Sequence, residues 1–86
     1  MPAPQARLGD TTSHGGTIVT GAERTLVDGM PAARMGDLHA CPEHGTTEIV
    51  QGSEKTLIEG KPAARVGDVM DCGAIIVTGS ETTIVE

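Results

Sequence analysis

Three histidines and two cysteines are the residues of this 86-residue chain best suited to hold a metal ion, and their spacing is ordered. His14 lies four residues past Asp10, Cys41 four past Asp37 and Cys72 four past Asp68, each of these aspartates following a glycine. One recurring position is thus filled by His, Cys and Cys. His39 and His44 flank Cys41, so the middle segment offers a further ligand. Imidazole nitrogen and thiolate sulfur in fours are the tetrahedral set that Zn²⁺ favours in closed structural sites. Local spacing alone, Cys41-x2-His44 or His39-x4-His44, arises readily by chance; placement at equivalent positions is the stronger signal. The plainer alternatives are unpaired thiols with ordinary surface histidines, or a Cys41–Cys72 disulfide, which needs an oxidising compartment. Five candidate ligands for four positions favour one closed structural zinc over a catalytic one, which keeps a position open. No Ser/His/Asp constellation for nucleophilic catalysis emerges.

The elements that must position these residues repeat along the chain. Ala6-Arg7-Leu8-Gly9-Asp10 recurs as Ala33-Arg34-Met35-Gly36-Asp37 and as Ala64-Arg65-Val66-Gly67-Asp68. Each copy leads through a variable loop into Thr17-Ile18-Val19-Thr20-Gly21, Glu48-Ile49-Val50-Gln51-Gly52 or Ile75-Ile76-Val77-Thr78-Gly79. A second run follows: Thr25–Gly29, Thr56–Gly60 and Thr82–Glu86. From aspartate to the glycine closing the first run is 11 residues in the outer copies and 15 in the middle one, and His44 falls in that expansion. Residues 1–86 therefore read as a single domain of three repeats, approximately 6–32, 33–63 and 64–86. Runs of Val, Ile and Thr bounded by Gly are strand signals. Each repeat is expected to be a β-hairpin, turning at Gly21–Arg24, Gly52–Lys55 and Gly79–Glu81 and halted by Pro31 or Pro62. The predicted fold is all-β: a small, slender cone of three hairpin repeats with pseudo-threefold symmetry, its loops converging on a metal near the apex.

Composition calls for a staple, whether a metal, disulfides, a partner or some combination. Ile, Val and Leu make up 17 of the 86 residues, and Phe, Tyr and Trp are absent. Chains of this size bury roughly 60% of their unfolded surface, and without aromatics a thick core is excluded; some staple must supply the rest. Val19, Val50 and Val77 are candidates for the core or the base. The periodic Arg7, Arg34 and Arg65 suit local ion pairs, and Asp10, Asp37 and Asp68 suit backbone N–H groups in turns. A net charge of −6 with no aromatic argues against nucleic acid as a partner. There is no stretch of about 18 apolar residues to cross a membrane. The N-terminal residues lack the apolar segment of a secretory signal, so synthesis in the cytoplasm without a signal peptide is expected.

Pro31-Ala32-Ala33-Arg34 and Pro62-Ala63-Ala64-Arg65, with Pro4-Gln5-Ala6-Arg7 as a degenerate first copy, resemble the motif that names the PAAR-repeat family. Asp10–Gly16, Cys41-Pro42-Glu43-His44-Gly45 and Gly67-Asp68 through Cys72-Gly73 extend the likeness over nearly the whole chain. The resemblance implies a small conical tip on the trimeric VgrG-type spike of a type VI secretion system, a contractile injection machine. The expected stoichiometry is one chain per trimer, with secreted effectors as further partners, export on the spike, and membrane contact limited to passage. Zinc in that family is held by three histidines and one cysteine, which maps onto His14, His39, His44 and Cys72. The internal repeat instead favours Cys41 over His39. The family stoichiometry is followed here, with Cys41 as the alternative. A second functional reading is a small zinc-dependent effector enzyme.

Overall fold

The computed structural model describes residues 2–86, which form nine short strands and no helix. They are β1 (Ala3–Pro4), β2 (Thr17–Ile18), β3 (Leu26–Val27), β4 (Met30–Pro31), β5 (Leu38–Cys41), β6 (Gly45–Glu48), β7 (Leu57–Ile58), β8 (Lys61–Pro62) and β9 (Ile84–Val85). The all-β expectation holds.

The tight hairpins lie elsewhere than the spacing of the apolar runs suggests. β3 pairs with β4, and β7 with β8, in registers Val27↔Met30 and Ile58↔Lys61, so the loops are Asp28-Gly29 and Glu59-Gly60. Both residues of each loop have positive φ, 55° and 81° in one and 51° and 85° in the other. That is the type I′ geometry whose twist matches paired strands. The prolines therefore sit inside the second strand of each hairpin, at its edge, rather than after it. The expected turns at Gly21–Arg24 and Gly52–Lys55 are instead crossings between neighbouring segments. A Cβ on Gly21 would lie 2.8 Å from Pro31 Cβ, and one on Gly52 the same distance from Pro62 Cβ.

The third copy is completed by the other end of the chain. β9 pairs antiparallel with β1, Pro4 opposite Ile84, where Pro31 faces Leu26 and Pro62 faces Leu57. The N-terminal strand thus stands where β4 and β8 stand in the other two units.

Backbone hydrogen bonds pass from each copy to the next and return to the first. Ala33 N–H donates to Ala6 O, Ala64 N–H to Ala33 O and Ala6 N–H to Ala64 O, at 2.9, 3.0 and 2.9 Å. This closed ring needs side chains no larger than methyl on its inner side, which explains the alanines. Gln5 stands where the other copies have Ala32 and Ala63; it is fully buried, and its amide nitrogen donates to Ala6 O and Ala33 O. Val19, Val50 and Val77 donate to Leu38 O, Val69 O and Thr11 O, each in the following copy.

Two small apolar clusters fill the interior. One holds Ala6, Ala33, Ala64, Ile18, Ile49, Ile76, Met70 and Ala74, with Cys72 packed against it. The other lies among the hairpins and holds Ala22, Val27, Ala32, Ile58 and Ala63, with Val85 against it. Within each Ile-Val pair the isoleucine is buried; Val19, Val50 and Val77 are exposed and lie outside the core. Cα extents of 29 × 24 × 23 Å make the body stubby rather than slender.

Each repeat is also pinned by the expected ion pair. Asp10, Asp37 and Asp68 accept from the backbone N–H of Arg7, Arg34 and Arg65 at 2.7 Å in every case, and from the same residues' guanidinium groups. The arginines reach on to Asp28, Glu59 and the Glu86 carbonyl. These aspartates are structural: they close the Arg-to-Asp turns and are buried within them.

Candidate metal centre

Three loops bring the candidate ligands together. Thr12–Gly16 is a tight turn in which Gly15 N–H donates to Thr12 O and Thr12 N–H to Gly16 O; it presents His14. Met70–Ala74 repeats that pattern bond for bond and presents Cys72. In the middle copy the four-residue expansion lengthens the turn into the β5–β6 hairpin, with Cys41 opposite Gly45. Cys41 ends β5, and His44 lies in the three-residue loop that follows.

His14, Cys41, His44 and Cys72 each offer one ligand atom, and these four atoms lie within 4.8 Å of one another. Cys41 Sγ is 3.7 Å from His14 Nδ1 and 3.4 Å from His44 Nδ1, and Cys72 Sγ is 3.9 Å from His14 Nδ1. With Zn–N near 2.05 Å and Zn–S near 2.3 Å, the N···S edge of a tetrahedron is about 3.6 Å. The donor set and its spacing fit a four-coordinate zinc. The His14 and His44 rings are 5.1 Å apart between centroids and tilted by 36°, so they converge without stacking face to face. Cys41 is buried, His14 and Cys72 are partly covered, and His44 is exposed.

His39 is not in this group. It shares the inward face of β5 with Cys41 but stands two residues back along the strand, about 6.7 Å at strand rise. Its ring is fully buried and held at both nitrogens: Nε2 is 2.8 Å from Thr12 Oγ1 and Nδ1 is 3.0 Å from Thr47 Oγ1. Burial, helped by nearby His14, pushes its pKa below the ordinary imidazole value. The four gathered residues are thus the set favoured by the internal repeat, with Cys41 in the place that family stoichiometry assigns to His39. Close packing at this level also requires Gly16, where a Cβ would come within 2.3 Å of Ala40 O and 2.4 Å of His39 Nε2.

Thr47 is a neighbour of the site that motif reasoning does not single out. It lies opposite His39 in the β5–β6 ladder, and its hydroxyl is 3.6 Å from Cys72 Sγ. The signal in the sequence is the expansion itself, because lengthening the hairpin brings Thr47 into register with His39.

A small helix-free β protein with inter-copy backbone pairing and a two-histidine, two-cysteine cluster is the class this geometry defines. The PAAR motif family matches residues 8–78, and the chain belongs to that family. The motif is associated with spike-tip proteins of type VI secretion. No curated protein matches the chain significantly.

Proposed function

We propose that this chain caps the blunt end of a trimeric VgrG-type spike, one chain per trimer, and forms its tip. The observation that carries the reading is a set of three apolar side chains at equivalent positions. Leu26, Leu57 and Ile84 are 61%, 63% and 55% exposed, each on a strand paired to a proline-bearing neighbour. Exposed apolar side chains mark an interaction site when they gather in one patch, and these three recur in step with the three copies. Three such residues from one polypeptide suit a partner that presents the same surface three times.

In this reading one zinc, held by His14, Cys41, His44 and Cys72, ties together loops of all three copies. Structural zinc contributes on the order of 10 kcal/mol to small domains, enough to brace a tip with so thin a core. Four protein ligands fill a tetrahedral site, which favours bracing over catalysis; the family is likewise structural rather than enzymatic. The chain would be made in the bacterial cytoplasm and leave it on the spike, with effectors delivered by the same stroke.

Co-purification with the trimeric spike tests the proposal. Wild-type chain is expected to be retained. A variant carrying Leu26→Asp, Leu57→Asp and Ile84→Asp is expected to keep its metal and lose the spike. Equal retention of that variant, or failure of the wild type to bind, would overturn the cap.

A further inference from the structure

We infer that His39 and Thr47 form a hydrogen-bonded support that positions the Cys72 sulfur for the metal. The inference rests on the metal reading above and concerns residues outside the ligand set.

The geometry is a continuous string: Thr12 Oγ1 to His39 Nε2 at 2.8 Å, His39 Nδ1 to Thr47 Oγ1 at 3.0 Å, and Thr47 Oγ1 to Cys72 Sγ at 3.6 Å. Its length is fixed by the fold, since His39 and Thr47 are cross-strand partners and Thr12 enters from the turn that carries His14. Thr12 and His39 are buried and Thr47 nearly so.

Proton counting gives the string a direction. A metal-bound cysteine is a thiolate, which accepts hydrogen bonds and donates none. The single Thr47 hydroxyl proton then points at sulfur, leaving Thr47 Oγ1 to accept from His39. A neutral imidazole has one N–H, so that proton sits on Nδ1, and bare Nε2 accepts from the Thr12 hydroxyl. No atom in the chain is left without a role, and only this polarity suits a thiolate. Cys72 is the ligand that gains. Its turn equivalent, His14, is an imidazole and carries no negative charge to spread, while Cys41 is fixed by the strand it ends. Outer-shell partners of this kind typically change metal affinity by 10- to 100-fold when removed.

The experiment is a zinc competition titration of wild type, Thr47→Val and Thr47→Ser, combined with ¹⁵N NMR of the His39 ring in the zinc-loaded wild type. Thr47→Val keeps the shape and removes the hydroxyl; its zinc affinity is expected to fall about tenfold or more. Thr47→Ser is expected to restore affinity to within about threefold of wild type. The zinc-loaded wild type is expected to show His39 as the Nδ1–H tautomer, a readout that needs no variant to fold. Unchanged affinity in Thr47→Val, an Nε2–H tautomer, or direct metal bonding by His39 would each overturn the inference while leaving the metal site standing. Failure of the wild type itself to bind zinc would remove the metal reading, and this inference with it.

Discussion

Cys41 and His39 occupy the same face of the same strand, and two residues of chain separate a member of the His/Cys cluster from an internally bonded side chain. The repeat spacing after Gly-Asp singles out Cys41, because equivalent loops deliver equivalent positions to one place. Family stoichiometry singles out His39, because it counts residue types and is blind to the strand that carries them. A buried imidazole between two hydroxyls looks no different in sequence from a ligand. Cys41→Ser is therefore expected to lower bound metal well below one ion per chain, whereas His39→Gln retains close to one. Elemental analysis of the purified variants checks this, and the opposite ranking would restore His39 to the ligand set. The acid limb of stability is a second matter at this scale. Hydroxyls of Ser80 and Thr82, and then Arg7, hold the Asp28 carboxyl below the usual carboxylate range, and the Arg24 backbone N–H does the same for Glu59. A carboxylate with a lowered folded pKa stabilises above its unfolded pKa, near 3.9, and loses that contribution as pH falls through the folded value. Asp28→Asn, which asparagine's tolerance of positive φ permits, should melt below wild type at pH 6. That gap should narrow as pH drops below about 4; a gap independent of pH would contradict the ion-pairing role.

At the scale of elements, the strand character of the chain was legible in the sequence, while the number of strands, six expected against nine found, and their partners were not. Val, Ile and Thr between glycines mark strands, but two-residue strands pair with whichever neighbour the chain path supplies. Here that neighbour is often the next copy, as when Val19 donates to Leu38 O. Asp28-Gly29 carries the sequence signal of a type I′ turn. It is masked because the apolar run on its N-terminal side is equally well read as one strand ending at the glycine. The pairing of β1 with β9 has no local signal at all, since it joins opposite ends of the chain. It also gives the N-terminal residues a definite role: Val66 N–H donates to Pro4 O, and Ser80 N–H to Gln5 O. Deleting residues 1–5 should leave both amides without acceptors and release β9. Hydrogen exchange is expected to show Val66, Ser80 and Val85 losing protection while Gly36 and Ile49 keep theirs. Unchanged protection at Val66 and Ser80 would mean that the N-terminal strand does not close the structure.

At the scale of the whole molecule, a lack of aromatic residues becomes a statement about where stability comes from. The two thin apolar clusters consist of alanines, isoleucines, one valine and one methionine, and neither could support a wide body. Backbone bonds between copies and the Arg–Asp turns share the load that a larger core would carry, and in the proposed reading a metal in the His/Cys cluster adds to them. The composition foretold this shortage, and the repeats foretold which loops bring the His/Cys cluster together. The stubby outline and the ring of alanine hydrogen bonds follow from close backbone approach, which sequence patterns do not encode directly. Leu26, Leu57 and Ile84 are the most exposed large aliphatic side chains among the described residues, and the proposed cap rests on them. Native mass spectrometry of the chain mixed with a trimeric VgrG-type spike tests that most directly. The account predicts one complex whose mass equals three spike subunits, one chain and one zinc ion. Three chains per trimer, or no complex at all, would contradict it.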